Sequence, residues 1–104
     1  MLQFEWDEAK ARANEKKHGV SFDDGVQIFE DPYVISEHDR IEDGELRWQS
    51  VGMIEGMLVV LVAHTSEIFA ENDVEVIRII SARRATRKER RRYDENRAKA
   101  IGRY

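Results

Sequence analysis

The chain has 104 residues, a formal net charge of −4, 41% apolar and 37% charged residues, and no cysteine. That length fits a single domain over residues 1–104, able to bury roughly 60–70% of its unfolded surface; the missing thiols exclude disulfides, thiolate catalysis and cysteine-held zinc. No apolar run approaches the roughly 20 residues of a membrane span, and the opening MLQFEWDEAK lacks the basic and apolar regions of a signal peptide, so a cytoplasmic protein is expected.

Leu2, Phe4 and Trp6 alternate with polar residues, which predicts a short strand with one apolar face. Asp7 is placed to cap a polar helix in which Glu8 and Arg12 stand i,i+4, and Gly19 to close it after His18. Ser21 to Asp24 resembles a capping box opening a second helix. Phe22, Val26 and Phe29 then follow as one i, i+4, i+7 stripe, and Pro32 stops it. A short strand is expected near Tyr33–Ser36, followed by a polar loop, EHDRIEDG. ELRWQSVGMI leads through Glu55-Gly56 into MLVVLVAHT, which reads as a hairpin. The run Met57–Ala63 is apolar on both faces, as a central strand would be, although a buried helical segment has the same pattern. A second polar loop, SEIFAEND, precedes the strand VEVIRIIS. Thr86 and Glu89 form a capping box, so a last helix should start near Arg87. The expected fold is α+β: a small antiparallel sheet, two N-terminal helices and a C-terminal helix.

The charge is segregated. Residues 1–77 carry 6 Lys/Arg and 18 Asp/Glu, a net −12, whereas residues 78–104 carry 11 and 3, a net +8. Such asymmetry points to a polyanion or an acidic protein surface as partner, or to a basic tail packed on its own acidic body. On the last helix Arg87, Lys88, Arg91, Arg92 and Lys99 gather on one side. Tyr93, Arg97, Ala100 and Tyr104 follow a 4-3-4 spacing on the other and should pack on the sheet. An outward cationic stripe suits phosphates or an acidic partner. Arg78 shares a strand face with Val74, Val76 and Ile80, so it needs a counter-ion, a snorkelling stem or a functional partner. His18, His38 and His64 show no metal-ligand spacing, and neither a metal nor another cofactor is expected. His18 suits a helix C-terminus, and either it or His64 could act as acid or base.

Four segments carry a further signal: FEWDEAKARANEKKHGVSFDDGVQIFEDP, GELRWQSVGM, LVVLVAHT and VIRIISARRATRKERRRY. Together, from Phe4 to about Tyr93, they resemble the BrnT family of bacterial toxins, with KHGVSF and RIISARRAT the specific parts. The resemblance implies a RelE-like α+β fold and a toxin of a type II toxin–antitoxin system that cleaves RNA and blocks translation. It also implies a BrnA antitoxin whose ribbon-helix-helix domain binds operator DNA, so that the toxin meets DNA only through its partner. By position it marks Lys17 and His18 in the K-H-G segment, Arg47 in G-E-x-R, Arg78 and Arg83 at the strand-to-helix segment, and Tyr93. Relatives often carry an arginine shortly after the threonine ending the central strand, but here Ser66, Glu67 and Ile68 follow Thr65.

Metal-free RNA cleavage needs a base for the ribose 2′-OH, an acid for the 5′-oxygen and cations for the phosphorane. Lys17, His18, Arg78, Arg83 and Tyr93 are the candidate catalytic residues. Lys17 or His18 would move protons, Arg78 and Arg83 would hold the phosphate, and Tyr93 would stack a base or orient a group, with core packing equally consistent. Arg47, His64, Arg87, Lys88, Arg91 and Arg92 are candidates for RNA or antitoxin binding. The alternative is a non-catalytic RNA- or antitoxin-binding module, which the missing arginine favours slightly. Without its antitoxin, an exposed apolar and basic surface could also promote a homodimer.

Overall fold

The computed structural model describes residues 1–102, so Tyr104 of the expected packing stripe lies outside the described residues. Its strands are Leu2–Glu5 (β1), Ile35–Glu42 (β2), Glu45–Ile54 (β3), Leu58–Phe69 (β4) and Val74–Arg84 (β5). Its helices are Glu8–His18 (α1), Phe22–Gly25 (α2) and Arg87–Ala100 (α3), with a 3-10 turn at Val26–Glu30. The sheet order is β1-β5-β4-β3-β2, antiparallel throughout except that β1 runs parallel to β5. None of these helices is long and apolar enough to cross a membrane.

Two tight turns set the register. Asp43-Gly44 and Glu55-Gly56 hold positive φ at both positions (51° and 78°, 52° and 71°), the geometry that matches the twist of flanking hairpin strands. The first was not anticipated, because EHDRIEDG looked like a loop. It is instead most of β2, a strand at the sheet edge whose residues beyond Ile35 are all exposed. A charged edge strand has no apolar alternation to reveal it, and its charges discourage pairing with other chains. SEIF likewise extends β4 rather than forming a loop.

The second helix also differs from expectation. It makes a single α turn and then tightens, so that Phe22, Gly25 and Ile28 face inward at a spacing of three. A 3-10 turn has that period, whereas the i, i+4, i+7 reading assumed 3.6 residues per turn. Phe22 is 1% exposed and Ile28 fully buried, and Ile28 lies directly over Gly52, where a Cβ would come within 2.7 Å of its own. Other expectations hold. Asp7 caps α1 and Gly19 closes it at φ 73°, and Thr86 with Glu89 forms a complete capping box on α3.

The sheet separates two apolar layers. Val60, Val62, Ile77, Ile79 and Ala82 point to a first face, where they pack with Val20, Phe22 and Ile28. Val59 and Leu61, of opposite parity on β4, meet Val51 and Tyr93 on the second. β1 pairs with β5 only from Glu75 to Arg78. Beyond it Asn14 of α1 stands in for a strand: its carboxamide donates to Ala82 O (2.8 Å) and Val20 O (3.0 Å) and accepts from Ala82 N (3.1 Å). α1 therefore lies along the outer edge of β5 and the first face. α3 covers only the part of the second face around Val51 and Tyr93, and the rest of that face stays open.

Candidate nucleic-acid interface

The open part of the second face collects arginines from the two strands that flank β4. Arg78 of β5 is paired with Thr65 of β4, and its guanidinium passes over that strand to donate to Glu45 Oε1 of β3 at 2.5 Å. Both side chains are near 40% exposed, so the pair is screened and reachable by a ligand. The hydrogen bond from Arg78 holds the Glu45 carboxyl below the ordinary carboxylate range and raises the guanidinium in turn. Arg47 of β3 sits on the same face with 18% of its side chain exposed. One Nη lies 3.4 Å from Glu42, while its buried Nε has no partner among the described residues.

Arg83 reaches this face too, but its fork is occupied. Its Nη atoms donate to both oxygens of Glu89 (2.8 and 3.0 Å), the residue whose carboxylate also accepts from Thr86 N in the cap of α3. Arg83 therefore ties the start of α3 to β5, and its guanidinium is raised by the Glu89 hydrogen bond. Arg92 was expected in the outward stripe, and it is half-exposed. It nevertheless grips Glu37 of β2 through two bonds of 3.1 and 2.9 Å, fastening α3 over the sheet. Arg87, Lys88 and Arg91 are exposed and show no ion pair among the described residues.

Two candidates prove to be interior. Tyr93 is 1% exposed, and its hydroxyl donates to Asp31 Oδ2. Burial and that carboxylate push its phenol well above the usual range, so it neither stacks a base nor titrates near neutrality. His64 is 4% exposed on the first face. Its Nε2 meets Ser50 Oγ at 2.7 Å, its Nδ1 lies 3.2 Å from Thr65 O, and its ring stands edge-on to Phe29. Burial lowers its pKa, and its ring nitrogens are taken up by Ser50 and the Thr65 carbonyl, as for a packed interior residue. Lys17 and His18 occupy the last turn of α1, against the β5 edge and the first face, so they do not join Arg47 and Arg78. Glu45 is the site residue that sequence reasoning missed. It lies inside the G-E-x-R segment, in which the resemblance marks only the arginine.

A family profile described as "Ribonuclease toxin, BrnT, of type II toxin-antitoxin system" matches residues 6–89. Among solved structures, the crystal structure of the Brucella abortus ribonuclease toxin BrnT superposes with a TM-score of 0.58 at 23% identity, covering 84% of this chain and all of that one. At that identity the likeness carries the fold. Curated proteins yield no significant match. With most of its length matched by the profile and its α+β architecture shared with a solved member, the chain belongs to the BrnT family of ribonuclease toxins of type II toxin–antitoxin systems.

Proposed function

We propose that the protein is a metal-independent endoribonuclease of the cytoplasm, inhibiting translation until a BrnA-like ribbon-helix-helix antitoxin neutralises it. The observation that carries this reading is the open sheet face with Arg47 and Arg78, where a half-exposed guanidinium is held by an exposed carboxylate. A scissile phosphate would take Arg78 by bidentate contact and displace Glu45. The released carboxylate accepts the 2′-OH proton as the 2′-oxygen bonds to phosphorus. The P–O5′ bond then breaks, and the 5′-oxygen is protonated from solvent. Arg47 and Arg78 stabilise the phosphorane charge. Lys17 and His18 are replaced in the proton-transfer role by Glu45, because α1 carries them away from this face. Arg87, Lys88 and Arg91 hold flanking phosphates.

The second reading, a binding module without cleavage, has one observation in its favour. The segment after Thr65 brings no cation to the face, and Ser66 Oγ instead donates to Glu75. Both readings are tested by incubating purified wild type, Arg78→Ala and Glu45→Gln with a fluorescent RNA oligonucleotide containing EDTA in the buffer. Cleavage by wild type to 2′,3′-cyclic ends, with loss in both variants but retained RNA affinity in Glu45→Gln, is expected. No cleavage by wild type, or equal cleavage by all, would refute the mechanism.

A further inference from the structure

The β3–β4 ladder does not run the length of its strands. It ends at Trp48–His64, although β3 begins at Glu45 and β4 continues to Phe69. Residues 45–47 remain paired with β2 and residues 65–69 with β5. The sheet thus divides at this end into two hairpins, and the backbone edges that face each other lack ladder partners. The opening is a cleft of about 560 Å³ whose walls include Glu45, Leu46, Thr65, Glu67, Ile68 and Arg78. Glu45, Thr65 and Glu67 belong to the second face by strand parity, and Leu46 and Ile68 to the first. The cleft therefore passes between the strands rather than lying on one surface. The Arg78–Glu45 pair bridges it from one hairpin to the other.

We propose that this cleft receives an extended segment of the antitoxin, which adds a strand between β3 and β4. The proposal rests on the toxin–antitoxin reading and names how the partner engages the same site. Unpaired strand edges on both sides supply main-chain hydrogen bonds, the source of affinity when a peptide joins a sheet. Leu46 and Ile68, 38% and 71% exposed, offer apolar contacts to one face of the segment. Glu5, Glu45 and Glu67 outweigh Arg78 around the opening, so the cleft favours a segment with alternating basic residues. A strand seated there lies about 4.8 Å from each neighbour, beneath the Arg78–Glu45 bridge. Its side chains on the second face rise beside Arg47 and Arg78, so docking crowds the same donors.

Amide hydrogen exchange on the isotope-labelled protein tests this, free and in complex with the antitoxin encoded beside its gene. Amides of residues 45–47 and 65–69 that face the cleft should slow by at least about 100-fold in the complex. Unchanged rates there, with protection confined to α3, would overturn the proposal. So would the same protection produced by an all-deoxy oligonucleotide used as an uncleavable RNA mimic, or by raising the concentration of the free protein. Glu67→Lys should weaken antitoxin binding by about tenfold or more, and equal affinity would count against the charge argument. RNA cleavage measured on the same preparation separates the failures. Cleavage without any antitoxin complex sinks the docking proposal alone, whereas cleft protection without cleavage sinks only the enzyme mechanism.

Discussion

Replacing Tyr93 by Phe decides whether this residue belongs to the chemistry or to the scaffold. Its hydroxyl donates to Asp31 Oδ2 at 2.5 Å, and the same carboxylate accepts from Met53 N at 2.8 Å and Tyr33 N at 2.9 Å. Asp31 thereby joins the segment after the 3-10 turn, strand β3 and helix α3. Removing the hydroxyl keeps the ring volume and leaves Oδ2 with its Met53 contact, so the loss belongs at the low end of hydrogen bonds to charged groups, about 1.5 kcal/mol. For a domain of this size that lowers Tm by roughly 6–12 °C. Tyr93→Ala adds a cavity where the ring was 1% exposed, costing about 3–5 kcal/mol. Thermal and urea denaturation, run beside RNA cleavage well below the transition, give both readouts. Tyr93→Phe should melt lower and cleave like wild type. An unchanged Tm, or cleavage reduced more than about tenfold in fully folded protein, would refute the scaffold assignment and return the phenol to the active site.

Three further substitutions or conditions probe the rest of the frame. Because burial lowers the folded pKa of His64 below its ordinary 6.5, the unfolded chain binds a proton first as pH falls. Stability from this group is complete above pH 6.5 and declines below it, by up to about 1.4 kcal/mol per pH unit. Urea midpoints between pH 5 and 8 should fall on the acid side, and the decline should shrink in His64→Gln. Asn14→Ala strands the N–H and C=O of Ala82 at the β5 edge, and should cost about 2–4 kcal/mol in urea titrations. Gly52→Ala drives a Cβ to 2.7 Å from that of Ile28 and should cost roughly 1–3 kcal/mol through displacement of the 3-10 turn, read by the same titration.

What the chain disclosed before folding follows from which signals are local. Asp7, Gly19, Thr86 and Glu89 act on backbone groups within a turn, so the ends of α1 and α3 were legible. Alternation marked β5, an apolar run on both faces marked β4, and the Glu55-Gly56 turn joined β4 to β3; all three have neighbours on both edges. β2 was missed because a solvated edge strand carries no such pattern, and Ile28 because a period of three replaced one of 3.6. The parallel pairing of β1 depends on residues more than 70 positions apart, as in Leu2 with Glu75, and no local rule encodes it. At the site, residue type pointed to Arg47 and Arg78, but type cannot distinguish a free guanidinium from an occupied one. Arg83 and Arg92 resembled their neighbours in sequence and turned out to be struts.

That distinction reshapes the charge asymmetry. The basic segment does fold back on its acidic body, through Arg78–Glu45 and Arg92–Glu37, while Arg83 is neutralised within its own segment by Glu89. These contacts remove some of the most conspicuous cations from long-range competition for a polyanion. What remains among the described residues is Arg87, Lys88, Arg91, Arg97 and Lys99 on α3, with Arg84 exposed at its approach. The opposite end of the sheet presents Glu5, Glu45 and Glu67 around the divided hairpins. A single molecule thus carries a cationic helix face and an acidic cleft, and Arg78 stands in the cleft, where it bridges to Glu45. Because the cleft's own carboxylate holds Arg78 in the unliganded protein, whatever competes for that pair changes how readily the arginine is given to phosphate. On the proposed reading of this face, the Arg78–Glu45 ion pair is the contact for which antitoxin and RNA compete.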